Sequence, residues 1–156
     1  MIIESKPKPE FKQCENSTTK KVLLNICDYL NYGLTDSNDF YRNWYVNQVR
    51  DYDKLKLEGK IKLGTVFYST PLSYHIITNL VCVRLPKTEY NLIPFDYEAF
   101  KNCCRSLREY IVSNEIKEIH TPIFGSKILE GNWSKIQEIL KDTMIGIPDL
   151  KMFVYK

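Results

Sequence analysis

The sequence predicts an α/β protein with a mostly parallel sheet covered by helices on both faces. Short apolar runs rich in β-branched residues alternate with segments that have the 3.6-residue periodicity of helices. In the second half the order is strand, helix, strand, loop, helix, strand, which is typical of parallel strands joined by crossover helices. The chain has 156 residues, of which 44% are hydrophobic and 26% charged, so it can bury a core of ordinary size.

In the first half, residues 1–20 are polar and contain two prolines, which favours an irregular lead-in or an edge segment. The apolar run 22–27 predicts a buried strand. Aromatic residues at helical spacing predict a helix over 40–52, which Thr35 or Asp36 could cap. Two β-rich segments, 64–68 and 74–84, predict strands that return on each other like a hairpin.

The second half begins with a helix over residues 97–113, followed by a strand over 116–123. After a loop, Asn132 or Ser134 caps a helix that ends near residue 141. The apolar segment 150–155 closes the chain as a strand. The sequence shows no internal repeat and no linker, so we expect residues 1–156 to form one domain.

Charge and cysteine content narrow the classes of function. The net charge is +3, from 22 basic and 19 acidic residues, which is too balanced to indicate nucleic-acid binding. The five cysteines are odd in number and lack CxxC spacing, which argues against a disulfide framework and against zinc. With no signal peptide and no membrane span in the sequence, we expect a cytoplasmic protein with reduced thiols and no membrane partner.

Two loops are candidates for a binding site, because ligands of open α/β sheets bind beyond the carboxyl ends of the strands. One follows Cys27. The other contains Gly125, Ser126, Lys127 and Gly131, where glycines allow close approach and a helix start offers N–H groups to a phosphate. His75 and His120 lack the spacing of two-histidine phosphoesterases. The sequence has no Walker loop, G-x-G-x-x-G motif or metal-ligand cluster, so we predict no cofactor and no metal.

Several segments resemble the macro domain family. Residues 119–133, which contain IHTPIFGSKILEGNW, are similar to the family pattern of a strand, P-x-[IF]-G-x-G-[IL]-x-x-x-x-W and a helix. Residues 151–155 are similar to the closing I-x-V-Y strand, and residues 96–100 to the T-Y-E-x-L helix. Residues 22–27 resemble the strand that precedes an Asn. The resemblance extends over residues 22–155 and implies a three-layer α/β/α fold with a mixed sheet of about six strands.

The resemblance also implies a site for ADP-ribose or a related nucleotide. Residues 124–129 would hold the diphosphate and distal ribose, the loop after the first buried strand would border the distal ribose, and the last tyrosine would lie near the adenine. The ligand-binding residues implied in this way are Cys27, Asp28, Asn31, Gly33, Phe124, Gly125, Ser126, Lys127, Ile128, Leu129 and Tyr155.

Departures from the family pattern fall on the groups that carry out chemistry. The nearest branch dephosphorylates ADP-ribose-1''-phosphate or removes ADP-ribose from glutamate. Its second loop glycine is Lys127 here, and its loop Asp aligns with Leu129. Its lysine nucleophile aligns near Val83, beside Arg84, and arginine stays protonated and cannot serve as a nucleophile. Asp28 and Asp36 are the carboxylates in position to activate water instead.

We therefore expect a divergent macro-like domain that binds ADP-ribose or a related nucleotide without the family's usual catalysis. One alternative is an ADP-ribose-1''-phosphate phosphatase or ADP-ribosyl hydrolase with altered catalytic residues. The other is an interaction protein that keeps the macro fold and has lost the nucleotide pocket.

Overall fold

The computed structural model describes residues 1–29, 45–84, 93–124 and 130–156, and six strands in these ranges form one mixed sheet. Across the sheet their order is β1-β6-β5-β2-β4-β3. Five strands are parallel, and β3 at one edge pairs antiparallel with β4. The strands are β1 (Ile2–Lys6), β2 (Lys21–Asp28), β3 (Val66–Leu72), β4 (His75–Val83), β5 (Glu118–Pro122) and β6 (Lys151–Tyr155).

Helices cover both faces of this sheet in the part of the chain that the structure describes. They are α1 (Phe11–Asn16), α2 (Tyr45–Leu57), α3 (Tyr97–Ser113) and α4 (Trp133–Thr143). The first face carries α1, which packs on Leu23 and Phe153, and α2, which packs on Cys27. The second face carries α3 and α4, which share one large apolar cluster with alternate residues of β2. The three-layer α/β/α arrangement and the mostly parallel sheet are therefore confirmed.

Local sequence signals explain α3 and α4. Asp96 precedes α3, and its carboxylate accepts a hydrogen bond from the Ala99 N–H at 2.9 Å, as an N-cap residue does. Asn132 caps α4 in the same way through the Lys135 N–H. The predicted inner face of α3 is confirmed, because four residues at helical spacing are fully buried: Phe100, Cys104, Leu107 and Ile111.

For the first twenty residues the sequence left two alternatives, of which the edge segment is confirmed and the irregular lead-in is wrong. These residues are not an irregular lead-in, because they contain the edge strand β1, a short 3-10 turn at Lys8–Glu10 and helix α1. Strand β1 takes its backbone hydrogen bonds from β6, at the other end of the chain. An edge strand exposes much of its surface to water. Strand β1 therefore contains polar residues and lacks the apolar pattern from which a strand is predicted.

Two boundaries in the middle of the chain also differ from the prediction. Helix α2 continues to Leu57 instead of ending at residue 52, because Leu55 still packs against the cluster around Tyr52. Strand β3 begins at Val66, after a turn in which Gly64 has a φ of +87°. The hairpin-like return is confirmed by the β3–β4 pairing. The predicted caps Thr35 and Asp36 lie outside the described residues.

All five cysteines are described, and all are buried free thiols. Within the described ranges, none of the helices is long and apolar enough to cross a membrane.

Candidate functional site

At the carboxyl edge of the sheet, the neighbouring parallel strands β2 and β5 form a topological switch point, where the crevice of an open α/β sheet is expected. The chain leaves β2 toward α2 on one face of the sheet, and leaves β5 toward α4 on the other face. Strands whose connections diverge in this way leave an open groove at their carboxyl ends, which is where ligands of open α/β sheets bind. The two loops singled out by the sequence are the two that leave these strands.

The structure describes four of the predicted ligand-binding residues: Cys27, Asp28, Phe124 and Tyr155. The others lie outside the described residues, and they are Asn31, Gly33, Gly125, Ser126, Lys127, Ile128 and Leu129. The catalytic candidate Asp36 lies outside them as well.

Cys27 and Asp28 end strand β2 at this crevice. The Cys27 side chain is buried with Tyr52, Phe67 and Val81 beneath α2. Burial raises the pKa of the Cys27 thiol well above its usual range, with smaller contributions from Cys103 and Asp28. The thiol therefore stays protonated and acts as an apolar packing group. Asp28 is fully buried, and its backbone carbonyl accepts a hydrogen bond from the Tyr52 hydroxyl at 2.7 Å.

Both ends of the loop between β5 and α4 are attached to the first part of α3. Phe124 is buried and packs edge-on against Trp133, with ring centroids 5.3 Å apart, and against Phe100 at 6.2 Å. At the other end, the Asn132 N–H donates to the Tyr97 hydroxyl at 2.9 Å. Aromatic packing and this hydrogen bond together hold the entry and exit of the loop at the carboxyl edge.

Arg84 follows β4 and serves a structural role. Its guanidinium forms an ion pair with Asp96, the N-cap residue of α3, and donates to the Ile93 carbonyl at 3.0 Å. Both partners of the ion pair are largely buried, with 17% and 18% of their side-chain surfaces exposed. Arg84 thus connects the end of β4 to the start of α3, at the position where the hydrolase branch was expected to place its nucleophile.

Tyr155 is the last residue of β6, and its side chain packs in the layer beneath α1. Its ring packs edge-on against Phe11 at 5.2 Å, and its hydroxyl lies 2.7 Å from Nδ1 of His120. Burial raises the pKa of the Tyr155 hydroxyl, so it remains protonated. Tyr155, Cys27 and Phe124 belong to three different apolar clusters. That Tyr155 contacts an adenine stays a prediction.

Sequence reasoning missed the polar groups that this face buries, above all Lys21, His75 and His120. Each is at most 5% exposed. The sequence signal for these residues is their position at or near the amino ends of apolar strands. Charged and titratable residues at strand ends are usually exposed to water, so this signal is weak. Within the described ranges, no group of three or more His, Cys, Asp or Glu residues is arranged to hold a metal ion.

Comparison with solved structures identifies the fold. A protein of unknown function from Bacteroides thetaiotaomicron superimposes with a TM-score of 0.80 at 17% identity, covering 99% of this chain and 98% of that one. A macrodomain protein from Streptomyces coelicolor gives 0.75 at 17% identity, covering 99% and 98%. Thermosipho africanus DarTG in complex with ADP-ribose gives 0.59 at 12% identity, covering 85% of this chain and 37% of that one.

No family model and no curated protein sequence matches the chain. The similarity therefore lies in the three-dimensional structure. The chain has the macrodomain fold, and the resemblance inferred from residues 119–133 and 151–155 is confirmed at the level of the fold.

Proposed function

We propose that this chain with a macrodomain fold binds ADP-ribose or a related ADP-ribose-containing nucleotide, without the family's usual catalysis. The observation that carries the proposal is that β2 and β5 are neighbours whose outgoing connections lead to opposite faces of the sheet, the arrangement at which ligands of open α/β sheets bind. The loops that leave these two strands are the candidates that the sequence predicts, and the second of them contains glycines and polar residues suited to a phosphate.

The start of α4 favours an anionic ligand at this crevice. The helix has 11 residues, and its first turn presents backbone N–H groups and the positive end of the helix dipole. Phe124 and Asn132 hold the two ends of the preceding loop against α3. A loop fixed at both ends costs less conformational entropy to order around a diphosphate. We propose that Gly125, Ser126 and Lys127 contact the ligand from this loop.

The choice of ligand rests on the comparisons. Thermosipho africanus DarTG shares the fold and is seen in complex with ADP-ribose. This similarity supports the class of ligand. Because one fold can have many functions, binding measurements are needed to test it.

The described residues that were candidates for catalysis are in environments that favour ligand binding without catalytic turnover. The Cys27 thiol is fully buried and its pKa is raised, so it is a poor nucleophile. The Arg84 guanidinium forms an ion pair with the Asp96 carboxylate. The Asp28 residue is fully buried, which is unfavourable for a carboxylate that must activate a water molecule from solvent.

Calorimetric titration with ADP-ribose, using AMP and NAD as comparison ligands, tests the proposal. We expect micromolar affinity that is selective for ADP-ribose. A Gly125→Glu variant should abolish binding, because it adds bulk and negative charge to the diphosphate loop. As a matched control, Val112→Glu adds the same charge at the opposite end of α3, where the side chain is 55% exposed, and should bind normally. No heat with any of the three ligands would refute the proposed function.

A separate assay tests the absence of catalysis. ADP-ribose-1''-phosphate and an ADP-ribosylated glutamate peptide are incubated with a high concentration of the protein, and the products are separated by chromatography. We expect no turnover above that of the Gly125→Glu variant. Turnover that is lost in Asp28→Ala or Asp36→Ala would establish the hydrolase alternative.

A further inference from the structure

We propose a second binding site, for a small oxyanion such as a carboxylate or a phosphate group, in the pocket beside α1 between Lys21 and His120. The residues that line this pocket do not include Cys27, Asp28 or Phe124, and the proposal does not depend on ADP-ribose binding. It rests on two buried polar groups that both line the pocket and whose hydrogen-bonding capacity is not used up.

The pocket lies on the first face of the sheet, where α1 leaves part of β5 and β6 uncovered. Its volume is about 170 Å³, which suits a ligand of a few heavy atoms. Stacked rings form one wall: His120 lies parallel to Phe153 with centroids 4.7 Å apart. The Lys6 ammonium lies 4.8 Å from the centre of the Phe153 ring. The lining also includes Glu10, Gln13, Cys14, Ser17, Lys21, Glu118 and Tyr155.

Lys21 supplies a buried positive charge. It is 0% exposed, and its Nζ donates to the carbonyls of Cys14 at 3.2 Å and Ser17 at 2.9 Å. An ammonium has three donors, so one proton is left over after these two bonds. Among the described residues, no carboxylate lies within ion-pair distance of this ammonium. A buried cation without a counter-ion is costly, so an anion that enters the pocket would lower its energy.

His120 supplies a second donor in the tautomer that has its proton on Nε2. Its side chain is 7% exposed, and Nδ1 lies 2.7 Å from the Tyr155 hydroxyl. When that hydroxyl donates to Nδ1, the proton of the neutral ring sits on Nε2. Nε2 is buried without a hydrogen-bond partner, and the nearest carboxylate oxygen, on Glu118, is 3.6 Å away. That distance is too long for a hydrogen bond. An oxyanion could accept from both Lys21 and His120.

Two carboxylates, Glu10 and Glu118, also line the pocket, and both are more exposed to water than Lys21. The Glu118 side chain is 25% exposed, whereas Lys21 is fully buried. Water screens the more exposed charge more strongly, so Lys21 dominates inside the pocket. Glu118 acts as a weak internal competitor for an incoming anion.

The lowered pKa of His120 keeps its imidazole neutral near pH 7, so the ring has one N–H to donate. Burial lowers its pKa to about 3, and the nearby cations Lys21 and Lys6 lower it further in the same direction. A bound anion would oppose these effects and raise the pKa of the imidazole. The His120 ring is therefore a spectroscopic reporter of the site.

The test is an NMR titration of the imidazole signals of the full-length protein with inorganic phosphate and, separately, with acetate. Sodium chloride at matched ionic strength serves as the reference. We expect a saturable change in the His120 signals and a raised His120 pKa. Stronger binding of phosphate or of acetate identifies which oxyanion the site prefers. If neither anion produces a saturable His120 change beyond that caused by chloride, the proposal is refuted.

Two variants assign the response to this pocket. Glu118→Gln removes the competitor and should tighten binding by about fivefold, the effect of one partly exposed charge pair. Its control, Glu138→Gln, removes the same charge from the exposed side of α4 on the other face and should leave the affinity unchanged. Lys21→Met should abolish the response. A Glu118→Gln affinity equal to the wild-type value would overturn the proposal even if Lys21→Met fails to fold.

Discussion

The hydroxyl of Tyr52 on α2 donates a hydrogen bond of 2.7 Å to the backbone carbonyl of Asp28, the last residue of β2. Tyr52 is 1% exposed and Asp28 is fully buried, so this bond forms away from water. It ties α2 to the point where the chain leaves the sheet and enters the first candidate loop. This hydrogen bond therefore couples the packing of α2 to the position of the carboxyl end of β2.

Tyr52→Phe should therefore lower the free energy of unfolding by about 1 kcal/mol, the usual effect of losing one buried hydrogen bond. It should also weaken ADP-ribose binding, because the end of β2 is held less firmly. Urea denaturation and calorimetry measure the two effects. Tyr74→Phe is the control, since the Tyr74 hydroxyl makes no hydrogen bond within the described residues. Equal effects of the two substitutions would contradict the role assigned to Tyr52.

Asp96 has two functions that substitution can separate, namely capping α3 and pairing with Arg84. Asp96→Ala removes both and should cost about 2–3 kcal/mol of stability. Asp96→Asn keeps a good N-cap and loses only the charge, so it should cost less. Thermal denaturation of both variants measures the difference. If Asn and Ala at this position are equally destabilising, the cap contributes little.

The pKa of His120 predicts how stability depends on pH. Its pKa is lowered to about 3 in the folded protein, against about 6.5 in the unfolded chain. Between these values the unfolded state binds the extra proton, so the contribution to stability is present above pH 6.5 and is lost as the pH falls toward 3. The pKa of His75 is also lowered, chiefly by burial, and acts in the same direction.

A His120→Gln variant isolates this contribution. Urea denaturation at a series of pH values from 7 to 4 should show a wild-type slope steeper than that of the variant by up to about 1.4 kcal/mol per pH unit. Carboxylates that titrate in the same range affect both proteins alike, so the comparison cancels them. Parallel slopes would show that His120 keeps an ordinary pKa.

All five thiols should resist alkylation in the folded protein. Each is buried, and burial raises the pKa of Cys14 and of Cys103 to about 12, with raised values for Cys27, Cys82 and Cys104. At pH 8 the reactive thiolate is therefore scarce. Mass spectrometry after iodoacetamide treatment should find no modification in buffer and five modifications in urea. Rapid labelling of any thiol in buffer would indicate local opening around it.

Much of the fold could be predicted because the relevant signals are local. The bounds of α3 follow from the Asp96 cap and from apolar residues at helical spacing, and both act within a few turns of the chain. The buried strand β2 follows from an uninterrupted apolar run. For strand β1 the sequence left an edge segment and an irregular lead-in as alternatives, because its hydrogen bonds come from β6, which is far away in sequence.

The candidate site could be predicted only in part for the same reason. The loop after β5 carries its own glycines and polar residues, so its sequence drew attention to it directly. Lys21 and His120 carry no such local signal. Their significance depends on the carbonyls at the end of α1 and on the Tyr155 hydroxyl, which only the folded chain brings to them.

By itself, the sequence determined those strands and helices that have local apolar signals, the alternation that produces a mostly parallel sheet, and the free state of the five thiols. Only the tertiary structure decided the strand order, the divergence of the connections after β2 and β5, and the burial of Tyr155 beneath α1. Periodicity records which side of a segment is apolar, and that depends on neighbouring residues. It does not record which distant segment covers that side, because that is chosen by packing and hydrogen bonding between parts of the chain far apart in sequence.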